Sequence, residues 1–294
     1  SGGPLLIMLV IALFFLVVTL IFGDLMYGTA LYPTTSRMTG MIQGSYALFL
    51  VIIVTFYAGE LVWRERSGRI AEVTDAYPNA DWIALAAKMV ALVAVIFAFN
   101  LTGIAGTIVN QMVRGYAHFE FGLYLREALL NTYSFGLMAV LAMFFQVISN
   151  NKFVGYLLMV VYLVLRAVLG MLHLEDNLYR PFGSPGLPWS DMNGYGHFWI
   201  GWAWFRAYWS VFAAMLLLAA GMFWVRGRRE RWRERLSEAR RRYLRPLPIT
   251  ASAVLLPAFL GLGGFIYYNT HVLNEFVPGD EQMDRQAEYE KAYR

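Results

Sequence analysis

The sequence predicts an all-α polytopic membrane protein, because its charge content is low and it contains seven long apolar stretches. Of the 294 residues, 59% are hydrophobic and 15% are charged, whereas a soluble domain carries about 25% charged residues. Each stretch reaches the roughly 20 residues that an α-helix needs to cross a bilayer, and none alternates as barrel strands do. This composition excludes a soluble enzyme, a nucleic-acid-binding module and a disordered scaffold. The predicted spans are 4–22, 42–62, 83–109, 128–148, 153–173, 198–225 and 249–271.

The distribution of basic residues predicts the orientation of these spans. Alternating seven spans places 14 Lys and Arg residues in the connections on one side and four in those on the other. Ten of the 14 are arginines of the segment 226–245. Because cytoplasmic loops carry the excess of Lys and Arg, we expect a cytoplasmic N-terminus and place 272–294 outside. The chain contains no cysteine, which excludes disulfides and thiolate metal sites.

The connection after the second span is predicted to form a short amphipathic helix on the cytoplasmic surface. Ser67 suits its N-cap, and Ile70, Val73 and Tyr77 follow on one helical face. Pro78 comes directly after this stripe, and proline cannot continue a helix interior without breaking its hydrogen bonds.

The arginine-rich segment 226–248 is predicted to be an interfacial helix. Its apolar stripe consists of Trp232, Leu236, Ala239 and Tyr243. One interpretation is a connection that joins the last two spans and fixes their topology, held at the surface by apolar burial and anionic lipid. The other interpretation is a docking surface for a partner.

The outer connection 174–197 is rich in Pro and Gly, so we expect it to be irregular or broken. The next twelve residues, 198–209, carry seven aromatic side chains. This density is typical of an aromatic belt at a membrane interface, and a patch that contacts an aromatic substrate is the alternative.

Motifs for catalysis and metal binding are missing from the sequence. It contains neither a GxxxxGK[ST] loop nor an HExxH motif, and its four histidines are isolated from one another. We therefore expect no catalysis, no cofactor and no metal in this chain.

Ionisable and amide side chains within the spans are the candidate functional residues, because such groups are costly inside a membrane. Arg166 and Arg206 either reach to the outer interface or pair with acidic residues in a polar outer gate. The acidic candidates for that gate are Glu120, Glu127 and Asp191. Asn100 and Asn131 either join helices by hydrogen bonds or line a substrate pathway.

Three passages of the chain carry a resemblance to a known family. They are GELVWRERSGRIAEVTDAYP (59–78), SDMNGYGHFWIGWAWFRAYW (190–209) and NEFVPGDEQMDRQAEYEKAYR (274–294). They resemble bacterial fusion proteins in which an ABC-2-type (type-2 ABC exporter) permease precedes a periplasmic gluzincin zinc aminopeptidase. The resemblance covers nearly the whole chain. It implies a six-helix permease half over 1–225, a seventh spanning helix, and a periplasmic linker over 272–294 toward a C-terminal domain that this chain lacks.

The resemblance also implies partners and a location. A separate ABC ATPase subunit would bind ATP and Mg²⁺, and a second permease half or a homodimer mate would complete the transporter in the bacterial inner membrane, surrounded by lipid and without nucleic acid. A coupling helix over 64–77 would contact the ATPase. Its contact residues would be Arg64, Glu65, Arg66, Arg69, Ile70, Glu72, Val73 and Asp75. The alternative is a structural anchor and partner platform for a periplasmic peptidase, without transport.

Overall fold

The computed structural model of the chain describes residues 3–22, 25–26, 29–68, 81–149, 151–172, 174–224 and 232–293. Nine α-helices and one small hairpin lie within these ranges. The helices are α1 (Gly3–Phe22), α2 (Thr35–Ser67), α3 (Asp81–Val113), α4 (Phe121–Ile148), α5 (Lys152–Met171), α6 (Phe198–Phe223), α7 (Trp232–Tyr243), α8 (Pro246–Tyr267) and α9 (Gly279–Ala292). A π-helical turn, Tyr268–Val272, continues α8. The strands β1 (Leu25–Met26) and β2 (Thr29–Ala30) pair antiparallel between α1 and α2.

Six of these helices are long and apolar enough to cross a membrane, namely α2, α3, α4, α5, α6 and α8 together with its π-helical turn. In α1 the described apolar segment is Leu6–Ile21. The seven predicted spans therefore correspond to α1–α6 and α8, and the prediction of an all-α polytopic membrane protein is confirmed.

The helix α2 extends beyond its predicted span, 42–62, at both ends. Polar residues end an apolar stretch, but they do not interrupt the backbone hydrogen bonds of a helix. Ser67 is consequently the last residue of α2, where the Gly68 amide donates to the Arg64 carbonyl at 2.9 Å. The prediction that Ser67 caps the start of a new helix is wrong, because residues 64–67 belong to α2. The remainder of the predicted coupling helix, 69–77, lies outside the described residues.

Residues Ser1–Gln146 form one compact unit, in which glycines of α3 allow close helix packing. A Cβ atom at Gly103 would lie 2.9 Å from both Ile42 Cγ2 and a ring carbon of Tyr46, and one at Gly106 would lie 3.1 Å from Leu16. The absence of these side chains lets α3 pack tightly against α1 and α2. The Tyr46 side chain is completely buried at this contact.

Residues Val147–Arg294 form a second unit, in which aromatic rings join α6 to α8. Tyr208 stacks on Phe259, with ring centroids 4.5 Å apart, and Trp204 lies 4.5 Å from Phe265. Gly263 sits against the Tyr208 ring, where a Cβ atom would approach to 3.1 Å. Large flat rings thus form the contact between these two helices.

The connection 174–197 is irregular, as predicted, and consists of turns with one isolated bridge between Ser190 and Gly194. Phe182 adopts a positive φ of 60°, which is uncommon for a bulky residue. Its ring is buried and lies between Trp209 and Phe212, at 5.6 and 6.1 Å. Aromatic packing against α6 therefore stabilises the strained backbone.

Basic side chains cap the carboxyl ends of several spanning helices. The last carbonyls of a helix have no partner within it and carry partial negative charge, so a cation nearby is favourable. Lys88 Nζ donates to the Leu61 carbonyl near the end of α2 at 2.6 Å, and Arg114 donates to the Leu20 carbonyl of α1 at 2.9 Å. In the second unit, Arg235 and Arg242 have the same role.

The helix α7 leaves most of the predicted apolar stripe exposed within its unit. Arg235 and Ala239 are buried, whereas Trp232 and Leu236 of the stripe are about half exposed. An i,i+4 ion pair also forms in this helix, because Arg242 Nε lies 3.3 Å from the Glu238 carboxylate. The face packed against the protein thus combines the capping Arg235 with Ala239, and the exposed part of the stripe is available to a membrane interface or a partner.

Candidate functional site: a polar cluster within the spanning helices

A cluster of amide and hydroxyl groups joins α3 to α4 in the first unit. Asn131 Nδ2 donates to Asn100 Oδ1 at 2.7 Å, and Asn100 Nδ2 donates to Thr132 Oγ1 at 3.3 Å and to the Ile96 carbonyl at 3.0 Å. Asn100 is 2% exposed. The structure thus brings together the two predicted pathway residues and pairs Asn100 through both its amide oxygen and its amide nitrogen.

Glu127 extends this cluster to α2. It lies one helical turn before Asn131 on α4, on the same face, and accepts a hydrogen bond of 2.8 Å from Gln43 Nε2. A cavity of about 10 Å³ lies among these side chains, lined also by Thr39 and Asn100, and this volume is near the lower limit for one water molecule. Three spanning helices therefore place a carboxylate, three amides and a small cavity together.

A second polar contact lies further along the same faces of α3 and α4. Gln111 is completely buried, donates to the Pro33 carbonyl at 2.8 Å and accepts from the Tyr124 hydroxyl at 2.9 Å. Sequence reasoning missed this pair, because Gln111 falls outside the predicted span 83–109. Helical spacing offered a signal, since Gln111 follows Asn100 by three turns, and Tyr124 precedes Glu127 by three residues.

The end of α2 that carries the first predicted coupling residues is fastened to α3 and α4. Lys88 of α3 forms an ion pair of 2.8 Å with Glu65, in addition to its bond with the Leu61 carbonyl. Trp63 Nε1 donates to Gln146 of α4 at 2.9 Å, and the Arg66 guanidinium lies 5.0 Å from the Trp63 ring centre. Arg64, Glu65 and Arg66 thus form a rigid last turn of α2.

The other predicted coupling residues have no described position. They are Arg69, Ile70, Glu72, Val73 and Asp75, which lie outside the described residues.

Two members of the predicted outer gate have described contacts of other kinds. Asp191 accepts a hydrogen bond of 3.1 Å from Trp189 Nε1. Arg206 donates to the Phe182 carbonyl at 3.5 Å and lies over the Trp202 ring at 5.3 Å.

The two other acidic candidates belong to the first unit. Glu127 is part of the polar cluster, and Glu120 is exposed just before α4. The Glu120 backbone amide donates a hydrogen bond of 3.4 Å to Thr35 Oγ1. This residue therefore helps to hold the starts of α2 and α4 together.

Two neighbouring acidic residues of the connection 174–197 contact the segment after α8, an arrangement that the sequence did not reveal. Asp176 Oδ2 lies 3.3 Å from His271 Nε2, and Glu175 accepts a hydrogen bond of 3.0 Å from the Gly279 amide. The imidazole of His271 also stacks between Tyr267 and Phe276. We call the Asp176–His271 contact and the Glu175–Gly279 contact together the clasp. Within the ranges that the structure describes, no three metal-binding side chains converge.

Comparison with known proteins finds no match among family models, curated proteins or solved structures. The interpretation of the polar cluster therefore depends on its own residues and on the chemistry that a membrane imposes on them.

Proposed function

We propose that this chain is the membrane-spanning permease half of an ABC exporter and that a separate ATPase subunit drives it. The observation that carries the proposal is the polar cluster of Gln43, Asn100, Glu127 and Asn131 within three spanning helices. A structural anchor can also join its helices by amide hydrogen bonds, but it needs neither a carboxylate nor a cavity beside them. The Gln43–Glu127 end of the cluster is exposed and the Asn100 end is buried, so the cluster leads from the surface of the unit into its interior, as the mouth of a substrate or ion pathway would.

The cluster offers hydrogen-bond groups that a passing polar molecule can exchange. The Asn131–Asn100 bond and the Gln43–Glu127 bond both join different helices. A shift of α4 relative to α2 and α3 would break these bonds and expose their donors and acceptors to a substrate or to water. Such exchange keeps polar groups partnered in both conformations, and it thereby lowers the free-energy difference between them.

The fastened end of α2 provides a route for mechanical coupling. Lys88 and Gln146 attach the last turn of α2 to α3 and α4, which are the helices that carry Asn100 and Asn131. An ATPase that moved this turn on closing would therefore move the walls of the cluster. The coupling requires that ATP binding favours one of two helix arrangements.

The proposal includes the partners and location that the resemblance implies. ATP and Mg²⁺ would bind to the ATPase subunit, and a second permease half or a homodimer mate would complete the pathway. The N-terminus would face the cytoplasm of a bacterium, with residues 272–294 in the periplasm. This orientation places the last turn of α2 on the side where ATP is available.

The proposal is tested by ATP hydrolysis in the protein purified from its native membranes. We expect an ATPase subunit to co-purify with the wild-type protein. The variant R64E/R66E reverses two exposed charges at the end of α2 and should lower the co-purified ATPase activity at least tenfold. The variant N100L/N131L should retain the ATPase subunit but change its hydrolysis rate, because it alters the cluster and not the docking turn.

A matched control reverses two charges elsewhere. Arg285 and Lys291 are exposed on α9, and R285E/K291E should keep wild-type ATPase activity. Failure of any ATPase to co-purify with the wild-type protein would contradict the proposal, as would equal loss of activity in R64E/R66E and in the control.

The clasp favours a second function, that of an anchor for a periplasmic partner. Asp176 and Glu175 fix the chain where it leaves α8 and where α9 begins, as an anchor would require. Under this alternative no ATPase co-purifies, and the double variant N100L/N131L changes stability alone. An ATPase whose hydrolysis rate responds to N100L/N131L would exclude an anchor without transport.

A further inference from the structure

The arginines of α7 divide into an inner and an outer set. Arg235 donates to the carbonyls of Val147 and Ile148 at the end of α4 and to that of Phe223 in α6. Arg242 donates to the Trp224 carbonyl at 2.6 Å. These two arginines are therefore used within the protein, where they neutralise the carboxyl ends of α4 and α6.

These caps fix the level of α7 in the membrane. The carbonyls that Arg235 and Arg242 reach belong to the last residues of two spanning helices, and α8 enters the membrane at Pro246, soon after α7 ends at Tyr243. The Trp232 ring also stacks on Phe223, with centroids 5.9 Å apart. Contacts with the last residues of spanning helices consequently place α7 at the depth of lipid headgroups.

The outer set consists of arginines with exposed side chains. Its members are Arg233, Arg240, Arg241 and Arg245. Exposed apolar side chains lie among them, with Trp232 49%, Leu236 53% and Leu247 72% exposed. Cations interleaved with exposed aromatic and aliphatic groups at headgroup level are typical of helices that lie on an anionic bilayer.

We propose that the outer arginines of α7 bind the headgroups of anionic phospholipids in the surrounding bilayer. The charge of this face complements the lipid phosphates, while Trp232 and Leu236 reach the acyl boundary beside them. The inner arginines hold α7 at the required depth, and the outer ones select the lipid. The proposal is independent of transport and applies equally to a permease and to an anchor.

The test compares the response of the whole purified protein to two lipids in neutral detergent. Palmitoyl-oleoyl phosphatidylglycerol should raise the wild-type unfolding temperature at lower concentration than palmitoyl-oleoyl phosphatidylcholine does. In R240Q/R241Q the concentration of phosphatidylglycerol for half the effect should rise about tenfold, since a basic residue near an anionic surface contributes roughly fivefold in affinity before screening. The phosphatidylcholine response should not change.

Three further variants make the test specific. R240K/R241K keeps the charge and should keep the wild-type response, and R285Q/K291Q removes the same charge from α9 and should also keep it. R233Q/R245Q changes other arginines of the same face and should show the same weakened phosphatidylglycerol response as R240Q/R241Q. The test therefore still holds if one of these two variants folds poorly. A wild-type phosphatidylglycerol response in both outer-face variants would overturn the proposal and assign this face to a protein partner. An equal loss in R285Q/K291Q would overturn it as a general charge effect.

Discussion

The two units stabilise their spanning helices in different ways. In the first unit, α2 and α4 are each 50% buried over their apolar windows, whereas α8 of the second unit is only 6% buried. Glycine contacts and side-chain hydrogen bonds interlock α2, α3 and α4, while α8 is held on one side by aromatic rings of α6. Within its own unit, α8 thus leaves most of its apolar surface uncovered, whereas half of the α2 and α4 windows is covered.

This difference follows from the kinds of residue that lie at the helix contacts of each unit. In a membrane the hydrophobic effect does not drive helices together, so close approach and hydrogen bonding decide which ones associate. The first unit uses both, with Gly103 at the closest approach and Asn100 at the centre of the hydrogen bonds. The second unit uses ring stacking and arginine caps, which leave the rest of the α8 surface to lipid.

The largest expected effect compares one substitution in the two units. Gly103→Leu forces side-chain atoms into Ile42 and Tyr46, where a Cβ alone would lie at 2.9 Å, whereas Gly261 of α8 has nothing within 4 Å of its Cβ position. Overpacking of a tight contact costs about 3 kcal/mol. We expect G103L to lower the unfolding temperature strongly and G261L to leave it nearly unchanged, measured by thermal unfolding in detergent. Equal effects would contradict the contrast between the units.

A smaller effect should separate the inner and outer arginines of α7. Arg235→Met keeps an unbranched apolar side chain but leaves the carbonyls of Val147, Ile148 and Phe223 without their donor, and buried acceptors without a partner cost about 2 kcal/mol. Arg233→Met, in contrast, changes an exposed residue of the same helix. Urea or thermal unfolding should show R235M to be destabilised and R233M close to wild type. A destabilised R233M would show that charge on α7, rather than capping, stabilises the second unit.

The sequence predicted the fold class because apolar length is a local property of the chain. It predicted the bounds of α5 and α6 to within a few residues. Asn151 caps the start of α5, and in both helices apolar residues begin at or directly after the first residue. It underestimated α2, whose polar ends stay helical because α3 and α4 supply partners such as Lys88 and Gln146. Those partners are distant in sequence, and only the packed helices reveal them.

The candidate site was predicted in part, for a similar reason. Asn100 and Asn131 stand out as amides within apolar stretches, and the structure brings them together. Gln43 and Gln111 lie near the ends of predicted spans. A polar residue is common there, so by its type alone it does not indicate a functional site. The partners of Arg166 and Arg206 depend on the folding of the connection 174–197, and no periodicity in the sequence specifies that folding.

The smallest expected effect concerns the clasp of the second unit. Glu175→Gln removes the charge that the Gly279 amide contacts at 3.0 Å, which weakens a charge-assisted hydrogen bond at a partly exposed site, by about 0.5 kcal/mol. Hydrogen exchange at the Gly279 amide should become about two- to threefold faster, because local opening becomes easier by that amount. Glu281→Gln changes the surface pair with Arg285 on the same helix and should leave this amide unchanged. Equal acceleration in both variants would show that α9 frays as a whole. The clasp would then be a contact between two segments that does not stabilise the chain after α8.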